Sequence, residues 1–179
     1  DPDNRLIIAT GPLGGTRVTG SGTFSVVTKG CLTNGGTATQ ANGYLGAFLR
    51  FNGLVGVVVQ GAADHWTYLF VHDGKAELRD ARHLLGKDTW ETEDAIKKEL
   101  GYSERQMSVF GIGPAGENLV KFAGIIGDKG HAAAHNGTGA VMGSKKLKAI
   151  AVARGNTGVE VHDKDALTAL AALMNQSLL

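Results

Sequence analysis

Two stretches of twenty residues, Asn42 to Gly61 (NGYLGAFLRFNGLVGVVVQG) and Asn136 to Gly155 (NGTGAVMGSKKLKAIAVARG), align without a gap. Each opens on Asn-Gly and closes on an alternating strand followed by glycine. Upstream, Ile8-Ala9-Thr10-Gly11-Pro12 echoes Phe110-Gly111-Ile112-Gly113-Pro114, and Lys29-Gly30 echoes Lys129-Gly130. A twofold internal repeat is the economical reading. Two copies are too few for a solenoid, so the chain is expected to form two similar half-domains that pair their sheets. Chance similarity between Gly-rich strings is the alternative.

Glycine supports the repeat. Of 27 glycines in 179 residues, thirteen lie between Gly11 and Gly61 and nine between Gly111 and Gly143, with three in the stretch that separates the blocks. That is about twice the usual frequency of roughly 7%. Disordered glycine-rich chains bring proline and lack aliphatic runs, whereas here there are three prolines and strands such as Val55 to Val59. Ordered glycine serves positive φ or close approach of the backbone to something else.

The repeat copies alternate with strand and helix signals. Strands are expected at Leu6 to Ala9, Thr23 to Thr28, Val55 to Gln60, Trp66 to His72, Lys75 to Arg79, Met107 to Ile112, Leu119 to Ile126 and Ala149 to Ala153. Asp73-Gly74 is a two-residue hairpin signal. Helices are expected at Thr89 to Leu100, within Tyr44 to Phe51, and at Asp163 to Met174. The first has Asp88 and Glu91 at capping-box spacing, lysines in its last turn and Gly101 just beyond. Strands outnumber helices and mostly neighbour one another, so the class is α+β, two β-sheets with a few helices.

Charge and cysteine exclude several functions. Eighteen basic against seventeen acidic residues leave +1, without the basic footprint of a nucleic-acid binder. No run approaches the roughly 18 apolar residues of a membrane span. The lone Cys31 excludes an internal disulfide, and a multi-thiolate zinc or iron–sulfur site, from this chain alone. The opening Asp1-Pro2-Asp3-Asn4 has no secretory signal, which points to the cytoplasm. The uncapped apolar helix running to Leu178-Leu179 points to a piece of a longer protein whose remainder covers that helix.

Several motifs compete for the chemistry. Gly111-Ile-Gly-Pro-Ala-Gly116 satisfies GxGxxG, but dinucleotide binding needs a helix to start there and an acid after the next strand, whereas Pro114 and the apolar run after Asn118 suggest another strand. His131-Ala-Ala-Ala-His135 has the spacing of a helical metal pair, but no glutamate between them, and the flanking glycines argue for a loop. Cys31 reads as a small, partly buried side chain, and the sequons at Asn136 and Asn175 as accidental. More informative are Thr33 to Gly43 and Gly130 to Gly139, which lack bulky residues and run into helix starts at Asn-Gly. Such loops can hold an anion or a polar ring through main-chain N–H groups, or can be structural turns. Two of them suggest a ligand that is itself double, or a ligand at a pseudo-twofold axis.

At these residues the chain resembles the N-terminal domain of the tungsten-containing aldehyde:ferredoxin oxidoreductase family. The matching strings are Leu6-Ile-Ile-Ala-Thr-Gly-Pro-Leu13, Val26-Val-Thr-Lys29, Gly43-Tyr-Leu-Gly-Ala47, Glu77-Leu-Arg-Asp-Ala81, Gly111-Ile-Gly-Pro-Ala-Gly-Glu-Asn-Leu-Val-Lys-Phe-Ala123 and Gly139-Ala-Val-Met-Gly-Ser-Lys-Lys-Leu-Lys-Ala-Ile-Ala-Val152. They run in order from Asn4 to Gly155. The resemblance implies a tungstopterin-binding domain over residues 1–158 whose first segment is missing, and the start of a following helical domain over residues 159–179.

It further implies a base of two β-sheets under a tungsten ion held by two pyranopterins (molybdopterin), with a magnesium ion bridging their phosphates. By position, the cofactor contacts fall on Thr23, Gln40, Asn42, Gly43, Ala132, Ala133, His135 and Asn136, and the magnesium contacts on Gln40 and Ala133, the latter through its carbonyl. The family's best-known members have arginine where Thr23 and Ala132 stand, asparagine where Gln40 stands, and a further arginine near His135-Asn136. A dianionic phosphate prefers guanidinium partners, so Lys29, Lys129, His131 or His135 would have to compensate, or the cofactor sits differently.

The implied activity is oxidation of an aldehyde to a carboxylic acid, with electrons passing through a [4Fe-4S] cluster in later domains to ferredoxin; the fragment alone would be inactive. The implied partners are the remaining domains of the same polypeptide, ferredoxin and a small aldehyde, with homo-oligomerisation open. Alternatives are a tungstoenzyme acting on another substrate, such as an aromatic acyl thioester reductase, a cofactor-free scaffold of the same fold, and a nicotinamide enzyme using GxGxxG.

Overall fold

The computed structural model describes residues 3–177. The readings placed on Asp1-Pro2 and Leu178-Leu179 lie outside the described residues.

The first half runs β1 (Leu6–Thr10), β2 (Phe24–Lys29), β3 (Gly36–Ala41), α1 (Leu45–Phe51) and β4 (Gly56–Val59). A connecting segment follows, with β5 (Thr67–His72), β6 (Lys75–Asp80) and α2 (Thr89–Leu100). The second half runs β7 (Met107–Gly111), the one-turn α3 (Pro114–Glu117), β8 (Ile125–Gly127), β9 (His131–Ala133), α4 (Thr138–Ser144) and β10 (Leu147–Ala153), and α5 (Lys164–Gln176) ends the chain. One sheet has the order β3-β2-β1-β4 and the other β6-β5-β10-β7-β8-β9. From its inner strand outward, β10-β7-β8-β9 repeats β4-β1-β2-β3, and every one of these pairings is antiparallel. The repeat is thus a repeat of topology, with a helix before the last strand of each copy. The fold is α+β, with two sheets and few helices.

Burial corrects the alignment by one position. Phe48 and Leu49 of α1 are matched in the core by Val141 and Met142 of α4, and Val57 of β4, opposite Ile8, by Ile150 of β10, opposite Phe110. The gapless alignment places each of these partners one residue later. Strand and helix faces decide equivalence, because a one-residue slip moves a side chain to the other face.

The main core lies between the sheets. It takes Leu6, Ile8, Phe24 and Val26 from one, Phe110, Ile125, Ile150 and Val152 from the other, and Leu45, Leu49, Val141 and Met142 from the two helices. Accordingly α1 touches β1, β7 and β10, and α4 touches β1, β2, β8 and β10. A second cluster, including Tyr68, Phe70, Ile96, Met107 and Ala151, fills the space between the larger sheet and α2. This explains why β7 and β10 are buried at every position, whereas β2 alternates.

Helix α2 forms where its local signals place it. The Asp88 carboxylate accepts the Glu91 N–H at 2.8 Å, the Glu91 carboxylate accepts the Asp88 N–H at 3.0 Å, and Gly101 ends the helix at φ 74°. Asp73 and Gly74 both take positive φ between β5 and β6, as the hairpin signal requires.

The stretch Leu119 to Ile126 is not one strand. Pro114 occupies the first turn of α3, Leu119 takes φ 57°, and turns lead to a short β8. Pro114 cannot donate a ladder hydrogen bond but suits a helix start. The strands at Gly36–Ala41 and His131–Ala133 are additional, and so small-residued that no aliphatic pattern marks them. Helix α5 is capped by Asp163, whose carboxylate accepts the Ala166 N–H at 2.8 Å. It buries only Ala171, while Leu170, Leu173 and Met174 are exposed.

Candidate functional site

The terminal strands of the two sheets, β3 and β9, pack together and carry the two small-residue loops to one place. On β3, Thr37, Thr39 and Ala41 point inward, while Ala38 and Gln40 are exposed. The Thr39 hydroxyl accepts the His135 N–H at 3.3 Å, and the Thr37 hydroxyl accepts from Asn136 Nδ2 at 2.9 Å. Sequence reading passed over both threonines; their alternation in Thr37-Ala38-Thr39-Gln40 was the available signal.

The first loop is tied down at both sides. The Thr23 hydroxyl donates to Asn42 Oδ1 at 2.6 Å, leaving the amide's Nδ2 for other partners. The Tyr44 N–H, just before α1, donates at 2.7 Å to Oδ2 of Asp128, which follows β8 in the other half. Ser108 Oγ donates to the same oxygen at 2.9 Å. Burial raises the Asp128 carboxyl above the usual carboxylate range, against the opposing pull of the Tyr44 N–H. Gly43 has φ 122°, and a Cβ there would lie 2.5 Å from Asp128 Oδ2, so the loop passes the carboxylate only as glycine. An internal anion therefore already occupies the helix start at which a ligand anion was expected. The one signal for Asp128 was a charged residue where the other copy, at the Lys-Gly echo, has Thr28.

The second loop turns through a 3₁₀ segment, His135–Gly137, with Asn136 at φ 58° and Gly137 at φ 73°. A side chain at Gly137 would strike the Lys121 carbonyl and Cys31 Sγ. The half-buried Cys31 thiol donates to that carbonyl at 3.1 Å, which fits a packed cysteine. The Ala133 carbonyl accepts the Thr138 hydroxyl at 2.7 Å, and the whole of Ala133, carbonyl included, is buried. Ala132, His131 and His135 are exposed.

The structure therefore brings Thr23, Asn42 and Gly43 together, and links His135 and Asn136 to β3 beside the exposed Gln40. The two histidines lie on a strand and on a 3₁₀ turn rather than on one helical face. Among the described residues no group of three or more His, Cys, Asp or Glu could hold a metal. The GxGxxG segment leads into a single helical turn, and β7 and β8 are antiparallel, which excludes the parallel unit that dinucleotide binding needs. Lys129 is paired with Asp94 and lies over the Trp90 ring, so it does not stand in for the missing arginines. Lys29, at the end of β2, is exposed.

Residues 1–154 match the family model described as aldehyde ferredoxin oxidoreductase, N-terminal domain. The chain belongs to this family. The chain is similar to the tungsten-containing aldehyde ferredoxin oxidoreductase of Thermococcus kodakarensis, 50% identical over 163 residues, covering 91% of this chain and 26% of that protein. The Pyrococcus furiosus protein of the same name is 49% identical over the same shares. The aliphatic sulfonate oxidoreductase, WOR-like subunit, of Pyrococcus furiosus is 36% identical over 94% of this chain and 28% of that one. Among solved structures, the active-site complex BamBC of benzoyl coenzyme A reductase with 1,5-dienoyl-CoA superposes with a TM-score of 0.90 at 37% identity, over 96% of this chain and 26% of that chain. The chain spans about a quarter of the length of these relatives. Among the described residues no helix is long and apolar enough to cross a membrane.

Proposed function

We propose that this domain is the base for a tungsten bis-pyranopterin in an enzyme that oxidises aldehydes to carboxylic acids. The observation that carries the reading is the meeting of two topologically equivalent loops, one from each half, in a chain of this family. A double cofactor requires two such places near one pseudo-twofold axis.

The donor set fits the cofactor's phosphates, and Gln40 offers an oxygen to a magnesium ion. Mg²⁺ takes oxygen ligands and keeps waters and substrate phosphates in its shell, so few protein charges are needed. Gln40 is exposed and its side chain has no hydrogen-bond partner among the described residues, leaving the amide oxygen for the ion. The Ala133 carbonyl, in a residue with no exposed surface, already accepts the Thr138 hydroxyl, so of the two expected magnesium contacts only Gln40 is accessible. With the cofactor bound, Asn42 Nδ2, oriented by Thr23, would donate to a phosphate oxygen, and the exposed Ala132 and His135 and the half-buried Asn136 would border the second phosphate, with Gly43 setting the first loop's path. Neutral donors replace the arginines, so each phosphate contact is weaker, charge-assisted bonds being about twice as strong as neutral ones. The magnesium ion would carry the remaining neutralisation, since Lys29, opposite Gly36, lies at the far end of the β2–β3 pair from Gln40.

When bound, the tungstopterin supplies the redox centre for two-electron oxidation of the substrate. This chain binds and orients it from below. The [4Fe-4S] cluster, the substrate pocket and the contact with ferredoxin belong to the remaining domains of the polypeptide, residues 159–179 beginning the first of them, and the domain alone is inactive. A cytoplasmic location follows from the same reading, as ferredoxin is the acceptor.

The 0.90 superposition on a benzoyl coenzyme A reductase complex favours one second reading, reduction of an aromatic acyl thioester. The higher identity to the aldehyde enzymes supports aldehyde oxidation as the first reading. Assay of the anaerobically purified complete protein with aldehydes and a viologen acceptor, against reduction of benzoyl coenzyme A with a low-potential donor, separates them. Aldehyde-dependent viologen reduction is expected; thioester reduction without it would replace the first reading by the second.

A further inference from the structure

Each small-residue loop is held by side chains of the half that does not carry it. The first loop, before α1, is held at Tyr44 by Asp128 of the second half; the second loop is held at His135 and Asn136 by Thr39 and Thr37 of the first. The order is reversed along the two segments. Going from Thr37 through Thr39 to Tyr44, the partners run from Asn136 through His135 back to Asp128. The two segments therefore lie side by side in opposite directions, fastened at both ends, and the fastenings bracket Gln40 to Gly43 on one side and Lys129 to Ala134 on the other.

The Asp128 fastening has features that a simple turn does not need. Its Oδ2 receives two donors, Tyr44 N–H and Ser108 Oγ–H, so the carboxylate is oriented from β7 while it grips the first half. Its Oδ1 is buried with no hydrogen-bond partner, a cost that an apolar residue would avoid. The groups facing Asp128 from neighbouring elements include Lys97 of α2, which acts on it electrostatically, beside Ser108 and Tyr44. A carboxylate gives the Tyr44 N–H a charge-assisted bond.

We propose that Asp128, Thr37 and Thr39 are positioning residues that lock the two loops into one unit across the boundary between the half-domains, so that the two halves of a double cofactor are gained or lost together. The cofactor part of this statement rests on the reading of the domain as a tungstopterin base; the coupling of the loops does not.

The test uses the complete protein, produced both with tungstate and without tungstate or molybdate, and carrying Asp128→Asn, Thr39→Val or Thr39→Ser. Hydrogen–deuterium exchange is followed in peptides spanning residues 40–48 and 130–139. Without metal, Thr39→Val is expected to speed exchange about fivefold, the equivalent of one lost hydrogen bond, in both peptides, although it touches only the second loop. Asp128→Asn should do the same in reverse, and Thr39→Ser, which keeps the hydroxyl, should retain protection. Asp163→Ala, which removes the α5 cap, should leave both peptides unchanged. In the tungstate-grown protein, pterin and tungsten should fall together in Thr39→Val. Exchange that rises only in the peptide touched by each substitution would overturn the proposal, and so would equal effects of Thr39→Val and Thr39→Ser. If Asp128→Asn does not fold, the Thr39 pair decides alone. Coupled exchange in a protein that holds neither metal nor pterin would support the loop lock and remove the cofactor reading.

Discussion

Asp128 Oδ2 accepts the Tyr44 N–H at 2.7 Å across 84 residues of sequence, joining the turn after β8 in one half to the start of α1 in the other. The bond sets a boundary condition on titration. Burial raises the Asp128 carboxyl above its ordinary value, about 3.9 in an unfolded chain. Between that value and the raised folded one, the folded state binds more protons than the unfolded state, so this group's contribution to stability falls as pH rises. Asp128→Asn removes the dependence. Urea melts at several pH values should show the stability difference, variant minus wild type, moving in the variant's favour from about pH 4 toward neutrality. A difference that does not change with pH would place the carboxyl in an ordinary environment.

Gly43 passes the same carboxylate at φ 122° with no room for a Cβ. Gly43→Ala should cost about 1 to 3 kcal/mol, the range for a residue forced into such backbone geometry. The measurement is denaturant unfolding. Gly53→Ala is the comparison, because Gly53 also has positive φ, 77°, but nothing within 4 Å of a Cβ; it should cost less.

Lys148 is fully buried on β10, its ammonium donating to Glu117 at 2.5 Å and to the Lys87 carbonyl at 2.8 Å. Burial lowers its pKa, with Glu117 pulling the other way. Removing the acid leaves a buried cation unpaired, so Glu117→Ala should destabilise by about 3 to 5 kcal/mol. Glu117→Leu combined with Lys148→Met should recover most of that loss. A small effect of Glu117→Ala would mean that water reaches the ammonium.

The Asp88–Glu91 capping box offers a purely local effect. Asp88→Ala should lower stability by about 1 kcal/mol, with the loss of helicity confined to α2. Equal loss after Asp88→Asn, which keeps an acceptor, would show that charge rather than the cap bond matters.

That local character explains what the chain discloses of itself. Helix α2 is legible because its cap, its last-turn lysines and its closing glycine lie within fourteen residues, Asp88 to Gly101. The repeat is legible because both copies kept their Asn-Gly and their closing strands, but its register is not, since Val141 and Met142 take the places of Phe48 and Leu49 only when the sheets are packed. Strands β3 and β9 are hidden because threonine and alanine can fill a thin gap without an aliphatic signature. That Thr23 lies beside Asn42 and Gly43 agrees with the positions the family resemblance gives them. Asp128, Thr37 and Thr39 could not be picked out from the sequence, because each matters through a partner more than eighty residues away.

Metal and pterin analysis of the complete protein decides whether this domain is the base of a tungsten bis-pyranopterin. Protein purified without oxygen from tungstate-supplemented cells should contain close to one tungsten and two pterins per chain, read by mass spectrometry of the metal and fluorescence of the oxidised pterin. Protein that holds neither tungsten nor molybdenum, and no pterin, would contradict the claim and leave a scaffold of the same fold.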